Sequence, residues 1–256
     1  CGGDHRPPLF GAAKQSMPNE QVLEVLLADQ RLDAFVKWPT DMTALHWVAY
    51  GGHPSHVTPL LRKGLDPNEQ AARGKTPLHL AVIMNNTGAI KMLLCDKRID
   101  PNVRDTESVT PLHQCVRLKR GGELLNLLLA HDRIQPNVRT EDDMTPFMDA
   151  IWIGNQTAIL ALFDCKNFNM ADSLPENPRE LYDSVHRGRF AKPDQLITVP
   201  DASWTPMMYA AARGEVDVLR VLYDSGRVPI HAKDRLGRTA MDIAAAKGIP
   251  MQYHSS

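Results

Sequence analysis

A chain of 256 residues with 43% apolar and 23% charged residues has an ordinary globular composition, and its formal net charge of -1 exerts no overall pull towards nucleic acid or an anionic membrane. Four scattered cysteines, at 1, 95, 115 and 165, form neither a CxxC pair nor a disulfide framework, so isolated buried thiols in a reducing compartment are expected. No signal peptide is visible in the opening CGGDHRPP, and the longest apolar runs, such as LLLA over 127–130, fall far short of a bilayer span.

In chain order, the first apolar segment is Pro8-Leu9-Phe10-Gly11-Ala12-Ala13, followed by QVLEVLLA over 21–28 with its apolar residues at helical spacing. Thr43-Ala44-Leu45-His46 opens the next pair of helices. Thr43 is placed to cap that helix, a hydrogen bond worth about 1 kcal/mol. Gly51-Gly52 ends it, and Gly64 suits the left-handed residue after the second helix.

The same opening stands intact at Thr76-Pro77-Leu78-His79 and Thr110-Pro111-Leu112-His113, where proline fits the first helical turn because its missing N–H would be unpaired there anyway. Second helices are predicted over 89–94 and 123–130. After them Asp100-Pro101-Asn102 and Gln135-Pro136-Asn137 turn the chain, since proline cannot continue a helix.

Looser versions of the opening occur at Thr145-Pro146-Phe147-Met148, Thr205-Pro206-Met207-Met208 and Thr239-Ala240-Met241-Asp242. Intervals between openings are 33, 34, 35, 60 and 34 residues, the signature of a stacked helical array. Setting Arg179 in the threonine slot predicts a truncated repeat with an irregular second helix over 192–197. After Thr239 only a first helix is expected.

Through these openings the chain resembles the ankyrin-repeat family over nearly all its length. The resemblance implies an all-α ankyrin-repeat solenoid of seven to eight helix-turn-helix repeats with short β-hairpin loops. The repeats would be 7–42, 43–75, 76–109, 110–144, 145–178, 179–204 (truncated), 205–238 and 239–256 (a partial cap), in a single array over 1–256. It also assigns His46, His79 and His113 a structural role, tying the helix start to the adjacent repeat.

No nucleotide-binding, hydrolase or metalloprotease motif is present. His53 and His56 form an HxxH without a third ligand at a defined spacing, so neither metal nor cofactor is expected. The basic residues around 117–120 and 213–238 are answered by Glu107 and Glu141-Asp142-Asp143, the pattern of a solvated mixed surface.

In the resembled family, partner contacts come from the end of each first helix and from the residue before each threonine. Carried over, these places hold Tyr50, Ile83, Met84, Arg117, Leu118, Trp152, Ile153 and Arg213, with Met144 and Trp204 at the threonine flank. Apolar residues there, where water alone would favour polar ones, suit an interface. Met42 and Val109 would extend the same wall.

The expected function is therefore a non-catalytic scaffold or adaptor binding a partner protein or peptide in a concave groove. It would act as a cytoplasmic or nuclear monomer, without nucleic acid, membrane or small-molecule substrate. The alternative is a regulatory or substrate-recruiting domain of a larger enzyme or signalling protein, which the abrupt start and stop of the chain would suit.

Overall fold

The computed structural model describes residues 7–14, 20–38, 40–119, 122–174 and 203–249. The chain divides into two compact units, 1–134 and 135–256, where the sequence reading expects one array.

In the first unit inner and outer helices alternate, the inner ones being α1 (Pro8–Ala13), α3 (Ala44–Gly51), α5 (Pro77–Met84) and α7 (Pro111–Arg117). Their companions are α2 (Glu20–Ala28), α4 (Val57–Arg62), α6 (Thr87–Leu94) and α8 (Gly122–Leu129). Helix α1 packs on α3, α3 on α5 and α5 on α7, while α2 packs on α4 and α4 on α6. The second unit holds α9 (Pro146–Ile153), α10 (Gln156–Asp164), α11 (Pro206–Arg213), α12 (Val216–Asp224) and α13 (Ala240–Ala246).

None of these helices exceeds nine residues. Helices this short are marginal alone in water, so they persist through the apolar faces that they bury against their neighbours. The fifth residue after each opening threonine is Val48, Ala81, Cys115, Ala150, Ala210 or Ala244, all fully buried. Small side chains there let successive inner helices approach closely. Ile90, Leu93, Leu128, Ile159, Leu162, Leu219 and Leu222 close the other side of each layer.

Threonine caps define where α5, α7, α9, α11 and α13 start. The Thr76 hydroxyl accepts from the His79 N–H, and the Thr110 hydroxyl accepts from that of His113. Thr145, Thr205 and Thr239 do the same for Met148, Met208 and Asp242. Gly64 turns the chain after α4 with φ of 103°.

The loops that lead into Thr76, Thr110, Thr145 and Thr239 are tight turns closed by backbone hydrogen bonds. Ala71 N–H donates to Lys75 O at 2.9 Å, Asp105 to Val109 at 3.0 Å, Thr140 to Met144 at 2.9 Å and Asp234 to Arg238 at 2.9 Å. Single bonds, from Ala72 N–H to Thr40 O (2.9 Å) and from Thr106 N–H to Arg73 O (3.1 Å), link adjacent loops. Among the described residues these loops form no strand, which corrects the expected β-hairpins. Each turn reverses through a residue at positive φ, such as Arg73 or Ser108, within five residues, which leaves no ladder to extend.

In the second unit α9 packs on α11 and α10 on α12, so the repeats opening at Thr145 and Thr205 are direct neighbours. The step from 145 to 205 spans one layer of the stack. The truncated repeat expected over 179–204 lies, except for its last two residues, outside the described residues.

Candidate functional site

Four inner helices stop after about two turns at a left-handed residue or a glycine, with α3 ending at Gly51-Gly52. Asn85 (φ 57°), Gly154 (φ 68°) and Gly214 (φ 81°) are the left-handed caps of α5, α9 and α11. The residues seven and eight after each threonine thus lie at a helix end, where their cover differs from repeat to repeat.

In the first unit this row bears Tyr50, Met84 and Leu118, which are 42%, 42% and 38% exposed. They stand 34 residues apart on three successive inner repeats, and half-buried Ile83 and Arg117 flank them. The Tyr50 ring leans on Trp47 edge-on, with centroids 6.0 Å apart. Trp47 meets Phe10 at 6.5 Å, Phe10 meets Trp38 at 6.3 Å, and the Lys14 ammonium lies 5.1 Å from the Trp47 ring. The Trp47 indole N–H donates to Trp38 O at 2.9 Å, which locks its ring plane. Sequence reasoning missed this aromatic support. Its signal was the concentration of Phe10, Trp38 and Trp47 around the first two repeats.

The second unit treats the same places differently. Trp152 is buried, 9% exposed, beneath the guanidinium of Arg213, whose Cζ lies 4.4 Å from the ring. Arg213 Nη2 also donates to Trp152 O at 3.3 Å. Ile153 is half-buried. One repeat after Arg213 stands Lys247, whose ammonium donates to Ala212 O. Lys247 was missed, although its 34-residue offset from Arg213 marks the equivalent place.

Three expected surface residues are corrected: Met144, Trp152 and Trp204 are buried, as is Val109. Val109 and Met144 give their carbonyls to the closing loop bond, and their side chains are held inside the layer. Trp204 packs edge-on to Tyr209 at 5.3 Å. Trp152 is covered because the repeat at 205 stacks directly upon it.

The opening histidines are structural. Thr76 N–H donates to His79 Nδ1 at 3.2 Å, so that nitrogen is unprotonated and Nε2–H donates to Val109 O at 3.0 Å. His46 makes the same pair of bonds with Thr43 N–H (3.1 Å) and Lys75 O (3.0 Å). Burial pushes both imidazoles down to about 4, against the weaker upward pull of the carbonyl each one meets.

Among the described residues no group of three or more histidine, cysteine or acidic side chains is placed to hold a metal. His53 caps the turn Pro54–His56, pairing with Ser55 Oγ at 2.9 Å. Buried thiols were expected throughout, but Cys95 is exposed at the end of α6 and Cys165 is half-buried, leaving Cys115 in the core. Of the basic residues near the end of the chain, Arg227 reaches Phe163 O and its ring, and Arg238 pairs with Asp234 at 2.6 Å. No described helix is long and apolar enough to cross a membrane.

Comparison with known proteins accords with this geometry. Residues 9–105 match a family model described as ankyrin repeats (3 copies), and residues 207–252 match one described as ankyrin repeats (many copies). No curated protein matches the chain. Among solved structures, the crystal structure of the ankyrin repeat domain of Bcl-3, described as a unique member of the IkappaB protein family, is similar. Its TM-score is 0.73 at 19% identity, covering 94% of this chain and 95% of that one, a likeness of fold.

Proposed function

The chain belongs to the ankyrin-repeat family, and on that premise we propose that it is a non-catalytic binding module whose first unit docks a partner segment along Tyr50, Met84 and Leu118. Ankyrin repeats are in general protein–protein interaction modules. The observation that carries the finer reading is the exposed apolar row at a 34-residue spacing, one residue per layer, in places that solvent alone would leave polar. Tyr50 is its anchor, because its ring is held by Trp47 and loses little freedom on binding. Half-buried Ile83 and Arg117 flank the row.

The reading is tested with immobilised full-length chain and a triple variant, Tyr50→Asp, Met84→Asp and Leu118→Asp, compared by quantitative mass spectrometry of captured proteins. Loss of at least about tenfold in a captured protein, with unchanged circular dichroism, is the expected result, as anchors dominate such interfaces. Equal capture by both chains would remove the row from the interface.

A further inference from the structure

In the second unit we propose that Arg213 and Lys247 form a receptor for a carboxylate side chain of a partner peptide, a charged subsite that deepens the partner-binding reading and rests on it. Both residues stand eight places after an opening threonine, at Thr205 and Thr239, so they are the same position in successive layers. Where the first unit has Met84 and Leu118, the second therefore has two cations.

Local geometry holds them in place. The Arg213 guanidinium lies over the Trp152 ring, Cζ 4.4 Å from its centroid, fixed by the bond from Nη2 to Trp152 O. The Lys247 ammonium is fixed by Ala212 O, the residue next to Arg213. Both anchoring acceptors are neutral carbonyls, so neither cation is neutralised. Ion pairs occupy many other cations of the chain, such as Arg98 with Asp96 and Arg238 with Asp234, but the described residues give Arg213 and Lys247 none. Glu215 lies over Gly154, near enough to act on Arg213 but forming no ion pair with it.

Among the described residues two further donors in this cluster have no acceptor: the buried Nε–H of Arg213 and the buried indole N–H of Trp152, a residue nine-tenths buried. Burial, then the neighbouring Arg213 charge, pushes the Lys247 ammonium below its ordinary range, and burial does the same to Arg213. Two like charges, partly desolvated and juxtaposed, are a cost to the free protein that an incoming anion removes. A carboxylate can accept from the guanidinium through one oxygen and from the ammonium through the other.

Full-length chain titrated with a fluorescently labelled oligo-glutamate peptide, read by anisotropy at low ionic strength, tests the subsite against the matched oligo-glutamine peptide. Saturable glutamate binding is expected, weakened at least about tenfold by Arg213→Gln and by Lys247→Gln, and unaffected by Arg220→Gln on α12, an exposed outer-helix cation. If Arg213→Gln perturbs the circular dichroism, Lys247→Gln decides alone, since that side chain follows the last described helix. Equal binding of the two peptides, or a Lys247→Gln chain that binds as tightly as the parent, overturns the proposal. Inorganic phosphate displacing the peptide at matched concentration overturns the assignment to a carboxylate. Failure here leaves the capture test of Tyr50, Met84 and Leu118 untouched, and a failed capture leaves any difference between the two peptides standing.

Discussion

His79 Nε2 lies 3.0 Å from the carbonyl oxygen of Val109, thirty residues further along and in the next repeat. One ring joins two layers: its Nδ1 receives the N–H of Thr76 at the start of α5, and its Nε2–H holds the loop that leads into α7. A second proton has no place, because it would sit on Nδ1 facing the Thr76 N–H. His46 repeats the arrangement one layer earlier.

Stability should therefore fall in mild acid. Both imidazoles are held near 4 in the folded chain, from an ordinary value of 6.5, by burial above all. Between those values the unfolded chain binds protons that the folded one refuses, so stability is intact above about 6.5 and is lost as pH falls towards 4. Each histidine contributes up to ~3 kcal/mol to that loss, from 1.36 kcal/mol per unit. Urea midpoints measured from pH 7.5 to 4.5 should drop steadily, and a flat profile would contradict the tautomer described above.

Adjacent glycines should respond oppositely to alanine. A Cβ on Gly52 would lie 2.1 Å from Ala13 O and 2.7 Å from Val48 Cα, backbone atoms that cannot swing aside. Gly52→Ala should cost ~1–3 kcal/mol by forcing α1 away from α3. Gly51 ends α3 with nothing within 4 Å of a new Cβ, so Gly51→Ala should be neutral or stabilise by up to about 1 kcal/mol. Denaturant midpoints of the pair decide it.

How far these features could be read from sequence depends on where their cause lies. Thr76, Pro77 and His79 act within one helical turn, so their spelling alone reveals the capped start and the tied ring. The small residues at 81, 150 and 210 are likewise legible, because the repeat period aligns them. Trp152 was misread as a surface anchor since what covers it, Arg213, is 61 residues away and its layer was expected to be separated by another. Met144 and Trp204 were misread because helical spacing says nothing about a side chain outside the helix. The row of Tyr50, Met84 and Leu118 was legible because all three sit at helix ends fixed by the period.

Asp105 should be a stability residue of the loop between α6 and α7. Its Oδ1 accepts the N–H groups of Glu107 (2.9 Å) and Val109 (2.8 Å), and its Oδ2 pairs with Lys75 of the preceding loop. Burial pushes its carboxyl up, but those partners outweigh burial and hold it below the usual range. Asp105→Ala leaves two backbone donors and the Lys75 ammonium without their acceptor, a loss of ~1–3 kcal/mol by thermal denaturation at pH 7. Asp234 makes the same turn with Leu236, Arg238 and the Arg238 guanidinium, so Asp234→Ala should behave alike in the second unit.

Tyr50 and Trp152 occupy equivalent places in their repeats, seven residues after Thr43 and Thr145, yet alanine should affect them in opposite ways. Trp152→Ala opens a void beneath Arg213 and removes its stacking surface, which should cost ~3–5 kcal/mol as for other buried aromatics. Tyr50 is 42% exposed and touches Trp47 by one edge, so Tyr50→Ala should cost less than about 1 kcal/mol. Partner capture should rank them the other way among folded chains: Tyr50→Ala removes an anchor of the docking row, while Trp152→Ala leaves that row in place and acts through the folded fraction and through the Arg213 that its ring supports. Measuring midpoint and capture on the same preparations separates the two. A Tyr50→Ala chain as unstable as Trp152→Ala would place Tyr50 in the core and take the docking row away from the first unit.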